Sequence, residues 1–164
     1  MKEAVTLLLL DTYDEIEWYN PNILAVKRLK SNGKLGLPGG KVDSGETLEE
    51  AIIREVKEEC NVTIPKEALV KVYACIVNGY YCTTFAVTKE HLKTMKYDEL
   101  KQVEVEIEPT WVKFNTYDFV MESEFTSYNE GLLYNIQEIV EFLNSKEEET
   151  LWQLYYKVVN GQIL

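Results

Sequence analysis

The 164-residue sequence contains one histidine, His91, and three cysteines, so it is poor in the residues of nucleophilic triads and thiol metal centres. The cysteines at positions 60, 75 and 82 lack the close pairs that are typical of a zinc site. The sequence has no Gly-x-Ser-x-Gly elbow and no phosphate-binding P-loop. We therefore expect any catalysis by this chain to depend on its carboxylates.

Basic residues are also scarce, because 17 lysines and arginines stand against 28 acidic residues and leave a net charge of −11. This charge disfavours nucleic acid or an anionic membrane surface as a partner. No apolar run approaches 18 residues, and residues 4–10 are only of strand length. The first residues lack a signal-peptide layout. We expect a cytoplasmic protein with reduced thiols.

Apolar periodicity predicts one α/β (α+β) domain over residues 1–164, with a mixed sheet between helices. A second amphipathic helix is predicted at residues 128–143, and Pro109 is expected to interrupt a strand. Asn78-Gly79 is typical of a type I′ hairpin turn, which would place Cys75 opposite Cys82. A disulfide between directly opposed strand positions would be strained. The predicted strands are residues 5–10, 23–29, 69–77, 80–87, 103–108, 111–114 and 151–159.

A helix predicted at residues 48–60 is the most informative segment. Thr47 and Glu50 have the spacing of a capping box, and no Gly or Pro interrupts the helix. Glu55, Glu58 and Glu59 share a face with the apolar residues one and two turns earlier. Carboxylates that are partly buried together repel one another, and Mg²⁺ or Mn²⁺ would offset this cost. The alternative interpretation is a solvated acidic face.

The spacing of residues 40–62 is that of a known signature. Gly40 is followed after five residues by Glu46, and seven residues later by Arg-Glu-Val-Lys-Glu-Glu-Cys, which ends at Cys60. This pattern resembles the Nudix box of the MutT/Nudix hydrolases. Asn61 stands where the family usually has glycine, and asparagine also tolerates the left-handed conformation that ends a helix. The resemblance implies an αβα sandwich with a mixed sheet between helices.

The resemblance also implies roles for the box residues. Glu58 and Glu59 would be ligands of Mg²⁺ or Mn²⁺, with the Gly40 carbonyl as a third ligand. Glu55 would be a ligand or the general base, a choice that differs between branches of the family. Arg54 would orient these carboxylates through a charge-assisted pair.

Four further positions carry weaker signals for the site. Glu46 would lie outside the direct ligands, among the substrate-binding positions. Lys41 and Arg28, with Lys27 beside it, are candidate phosphate contacts, although ordinary surface charge explains them equally well. Asn129 precedes a glutamate at the start of the second helix, as a purine-reading asparagine does in MutT; a simple N-cap is the alternative.

Glu106 begins a Glu-x-x-Pro-x-Trp segment that resembles the oxidised-purine triphosphatase branch, in which this glutamate reaches the metals. Glu106 is therefore a candidate metal ligand or base. The alternative is that it belongs to the wet face of an alternating strand.

These resemblances predict a cytoplasmic, metal-dependent enzyme that acts on a small nucleotide, as a monomer or homodimer. The preferred reaction converts a nucleoside triphosphate, including oxidised or non-standard ones, into the monophosphate and pyrophosphate. One alternative is a hydrolase of nucleoside-diphosphate derivatives such as ADP-ribose or a dinucleotide polyphosphate. The other is a non-catalytic module that senses a nucleotide.

Overall fold

The computed structural model describes residues 2–10, 22–29, 34–92, 107–113, 135, 138–139 and 141–143. In these ranges the regular structure consists mainly of strands and one 13-residue helix, and residues 135, 138–139 and 141–143 are also helical. In chain order the elements are β1 (Lys2–Leu8), β2 (Asn22–Arg28), β3 (Lys34–Gly36), β4 (Gly39–Lys41), α1 (Leu48–Cys60), a 3₁₀ turn (Lys66–Ala68), β5 (Leu69–Val77), β6 (Tyr80–Val87), α2 (Lys89–Leu92) and β7 (Ile107–Lys113).

The strands form two sheets. The first has the order β4-β1-β6-β5 and is mixed, because β1 and β6 run parallel while the other pairs are antiparallel. The second has the order β3-β2-β7 and is antiparallel. The two are linked where the Leu24 N–H donates to the Leu9 carbonyl at 2.9 Å. The predicted α+β class with a mixed sheet is confirmed.

Helix α1 packs against this framework through its apolar side. Ala51, Ile52 and Val56 are fully buried, at the i, i+1 and i+5 positions that share one helix face. Ile139 and Phe142 are buried in the same core and are helical, in agreement with the amphipathic helix predicted around them. The core thus fixes the axis of α1 beside β4.

Local signals determined the ends of α1 and the β5–β6 hairpin. The Thr47 hydroxyl accepts from the Glu50 N–H, and the Glu50 carboxylate accepts from the Thr47 N–H, which completes the predicted capping box. Asn78 and Gly79 have positive φ values of 50° and 80°, as a type I′ turn requires. The hairpin has the predicted bounds, and Cys75 pairs with Cys82.

The prediction that Pro109 interrupts a strand is wrong. Pro109 lies inside β7 and pairs with Val26 of β2. Among the described strands, β7 stands last in the order β3-β2-β7, and a residue without an N–H is tolerated at such an edge position. The first two strands also begin earlier than predicted, at Lys2 and Asn22.

Several predictions fall on residues that the structure does not describe. These are the final strand at 151–159, residues 103–106 of the strand predicted at 103–108, and residues 128–134 of the second predicted helix. No helix in the described part of the chain is long and apolar enough to cross a membrane.

The C-cap of α1 gives a stability prediction. Asn61 has φ 61° and ψ 26°, and its N–H donates to the Lys57 carbonyl at 3.1 Å. An alanine would be strained in this left-handed conformation, so Asn61→Ala is expected to lower the free energy of unfolding by about 1 kcal/mol. Asn61→Gly should leave it unchanged or raise it slightly. Urea denaturation measures both variants; equal losses would show that backbone conformation is not the constraint at this position.

Candidate active site

The site is built where β4 passes the middle of α1. Gly39 lies so close to β1 that a Cβ there would collide with the Val5 carbonyl and the Thr6 Cα. At Gly40 a Cβ would overlap the Glu55 carboxylate. The two glycines therefore let β4 approach both β1 and the helix, and the Glu55 carboxylate packs directly on the Gly40 backbone.

Arg54 connects the box carboxylates. Its Nε and Nη2 donate to the two oxygens of Glu46, at 2.8 and 3.0 Å, in a two-pronged arrangement. Its Nη1 donates to Glu55 at 2.9 Å and to Glu58 at 3.3 Å. Nη2 also donates to the Lys41 carbonyl at 3.1 Å, so the guanidinium ties α1 to β4. That Arg54 orients these carboxylates for catalysis stays a prediction.

The charge on Glu46 is strongly stabilised. Hydrogen bonding from Arg54, and secondly from the Asp43 N–H at 3.0 Å, lowers the pKa of Glu46 from 4.5 to about 2. The same contact raises the pKa of Arg54 above its ordinary value. Glu46 and Arg54 are therefore a permanent ion pair at neutral pH.

Glu59 differs from the neighbouring Glu58 in its burial and in its hydrogen-bond partner. Only 3% of Glu59 is exposed, and its Oε1 accepts from the Gly39 N–H at 2.8 Å. The Glu58 side chain, by contrast, is 49% exposed. Sequence analysis placed these residues on one face but missed the Gly39 N–H as a partner. The adjacent glycines at 39 and 40 are the signal, because they permit close approach of another chain segment.

The donor chemistry of these residues fits a hard divalent cation, which prefers carboxylate and carbonyl oxygens. Among the described residues, however, no three acidic, histidine or cysteine side chains are grouped around one metal position. Arg54 contacts Glu55 and Glu58, while Glu59 accepts from the Gly39 N–H. A cation would share these carboxylates with the guanidinium and the backbone.

The remaining candidate residues are placed only in part. Lys41 is exposed, and its Nζ lies 5.8 Å from the centre of the Tyr80 ring. The backbone of Arg28 belongs to β2, but the structure does not describe its side chain, so its contact with phosphate stays a prediction. Glu106 and Asn129 lie outside the described residues, so their roles stay predictions.

The chain belongs to the NUDIX family, since the model of the NUDIX domain matches residues 3–135. Its fold is shared by a structure from an analysis of MutT from Aliivibrio salmonicida and Vibrio cholerae. The TM-score is 0.59 at 20% sequence identity, and the match covers 86% of this chain and 98% of that chain. The structure of a MutT/nudix family protein from Enterococcus faecalis gives a TM-score of 0.62 at 17% sequence identity. This match covers 93% of this chain and 66% of that chain.

Two curated relatives match shorter segments. An ADP-ribose pyrophosphatase of Methanocaldococcus jannaschii is 47% identical over 55 residues, which are 32% of each chain. A U8 snoRNA-decapping enzyme of Homalodisca vitripennis is 32% identical over 71 residues, 43% of this chain and 35% of that protein. The matches thus span only about a third of these relatives, so they do not assign a substrate.

The lowered pKa of Glu46 gives a pH-dependent stability prediction. Because its pKa is about 2 in the fold and 4.5 ordinarily, its stabilisation is complete above about pH 5 and is lost towards pH 2. Glu46→Gln should lower the free energy of unfolding by about 1 kcal/mol at pH 7 and by less at pH 3.

Urea denaturation at the two pH values measures this difference. The matched control is Glu67→Gln, which makes the same charge change at an exposed position in the 3₁₀ turn. Glu67→Gln should have little effect at either pH. If Glu46→Gln lowered the free energy of unfolding equally at pH 7 and pH 3, the charge of Glu46 would not be the source of its stabilisation.

Proposed function

We propose that this protein is a Mg²⁺-dependent Nudix pyrophosphohydrolase, with Mn²⁺ as a substitute. It acts on a nucleoside triphosphate, including oxidised or non-standard ones, and releases the monophosphate and pyrophosphate. The observation that carries the proposal is the joint placement of Glu46, Glu55 and Glu58 on Arg54, beside the Gly40 backbone. Membership of the NUDIX family supports it.

Electrostatics explain why such a site would need a cation. The chain carries a net charge of −11, and the substrate is a polyanion. Carboxylates alone would repel both the phosphates and an incoming hydroxide. When bound, a divalent cation screens the phosphate oxygens and lowers the pKa of bound water. Glu58, Glu59 and the Gly40 carbonyl are the proposed ligands, with Glu55 as a further ligand or the general base.

The chain's own residues prepare the site for this role. Arg54 positions Glu55 and Glu58 beside each other, since its Nη1 donates to both. Contact with Gly40 restrains the Glu55 carboxylate beside β4. Glu46 holds the guanidinium from the opposite side through two hydrogen bonds. One guanidinium thereby contacts both carboxylates, and the Glu55 carboxylate also lies against the Gly40 backbone.

The second candidate is hydrolysis of a nucleoside-diphosphate derivative such as ADP-ribose or a dinucleotide polyphosphate. The ADP-ribose pyrophosphatase that is 47% identical over 55 residues favours it. A nucleotide sensor without turnover is a third possibility, but sensors commonly lose box carboxylates. Glu46, Glu55, Glu58 and Glu59 are all present here.

Replacing one carboxylate tests the proposed catalytic role. Glu58→Gln is expected to lower Mg²⁺-dependent turnover by about 100-fold or more, because it removes the charge that binds the cation. The fold should persist, since the Glu58 side chain is 49% exposed. The matched control is Glu49→Gln on the same helix, where the carboxylate lies 3.8 Å from Lys71 instead. Near wild-type turnover by Glu58→Gln would remove Glu58 from the mechanism.

Product analysis distinguishes the substrate classes. The full chain is incubated with Mg²⁺ and a panel of nucleoside triphosphates, ADP-ribose and dinucleotide polyphosphates, and the products are separated by ion-exchange chromatography. Release of pyrophosphate with a monophosphate supports the proposed reaction. AMP and ribose phosphate from ADP-ribose would assign the second candidate. Tight nucleotide binding without turnover would identify a sensor.

A further inference from the structure

The β5–β6 hairpin contains a pair of cysteines that the proposed hydrolysis does not use. Cys75 and Cys82 are directly opposed in the antiparallel register, and both are free thiols. Opposed residues of antiparallel strands have Cα atoms about 4.5–5.5 Å apart. Disulfides form over Cα separations of about 4.4–6.8 Å. The backbone therefore already holds the two residues at a bonding separation, and the strain expected of directly opposed positions makes the bond easy to reduce again.

The two thiols differ in accessibility and in their surroundings. Cys82 is 4% exposed, and burial, followed by the proximity of Cys75, raises the pKa of its thiol to about 11. Cys75 is half-buried; burial raises its pKa too, but the Tyr73 hydroxyl donates to its sulfur and partly offsets that rise. Cys75 is thus the more accessible thiol for a reagent in solution, and Cys82 is the buried thiol opposite it.

We propose that Cys75 and Cys82 form a dithiol modification site, which takes small disulfide compounds and closes to an intramolecular disulfide. The Cys75 thiolate attacks the reagent, forms a mixed disulfide and releases one reagent thiol. The Cys82 thiolate then attacks the Cys75 sulfur and displaces the second reagent thiol. Two protein thiols are oxidised and one reagent disulfide is reduced, so the electrons balance.

Cys60 provides an internal comparison. It is fully buried in α1, and burial raises the pKa of its thiol to about 12. It also stands outside the hairpin that pairs the other two cysteines. Exchange is therefore expected at Cys75 and Cys82 while Cys60 remains a thiol. This site involves none of the residues assigned to hydrolysis, so its test does not depend on the proposed function.

The test treats the folded, full-length chain with oxidised glutathione and follows it by non-reducing mass spectrometry and peptide mapping. The wild type and Cys60→Ser should lose two thiols, retain no glutathione and give a peptide that links Cys75 to Cys82. Cys82→Ser should keep one glutathione on Cys75. Cys75→Ser should react at least about tenfold more slowly, because only buried thiols remain.

Three results would overturn the proposal. One is a wild-type chain that keeps glutathione on Cys75 without closing the bond. The others are a chain that loses no thiols and a cross-link that includes Cys60. The peptide map of the wild type decides these outcomes by itself, so the test holds even if a serine variant fails to fold.

Discussion

The described site depends on one interaction, the contact of the Arg54 guanidinium with three carboxylates of the same box. Glu46, Glu55 and Glu58 would repel one another if they were brought together alone. Arg54 compensates for this repulsion with four hydrogen bonds to them, of which the shortest is 2.8 Å. Its fork also matches the two oxygens of Glu46, a geometry that a lysine could not reproduce.

The backbone of β4 makes this arrangement possible. Gly39 packs against β1 and donates its N–H to the buried Glu59, while Gly40 leaves the space that the Glu55 carboxylate fills. Arg54 reaches the same strand through the Lys41 carbonyl. The capped helix and the short strand are therefore held together by polar contacts at the site and by apolar packing beneath it. Stability and proposed chemistry rely on the same few residues.

Features determined by neighbouring residues could be predicted from the sequence. The start of α1 follows from the Thr47–Glu50 capping box, and its end follows from Asn61. Each signal acts within the one turn of helix nearest to it. The β5–β6 hairpin follows from Asn78-Gly79, and the opposition of Cys75 and Cys82 follows from counting outward from that turn.

Features determined by distant segments could not be predicted in this way. Pro109 fits within β7 because that strand is last among the described strands of its sheet, and strand order cannot be read from local periodicity. Helical spacing placed Glu58 and Glu59 on one face, but it could not show that Glu59 turns inward to the Gly39 N–H. That contact joins residues 20 positions apart and requires the packing of α1 on β4.

The central claim is that Glu58 and Glu59, of which the first accepts from Arg54 and the second from the Gly39 N–H, hold a divalent cation when nucleotide binds. Titration of the full chain with Mn²⁺, followed by electron paramagnetic resonance with a non-hydrolysable nucleotide present, tests it most directly. The account predicts saturable Mn²⁺ binding that excess Mg²⁺ displaces. A Mn²⁺ spectrum no different from that of Mn²⁺ with the nucleotide alone would contradict it, because the phosphates bind Mn²⁺ without protein.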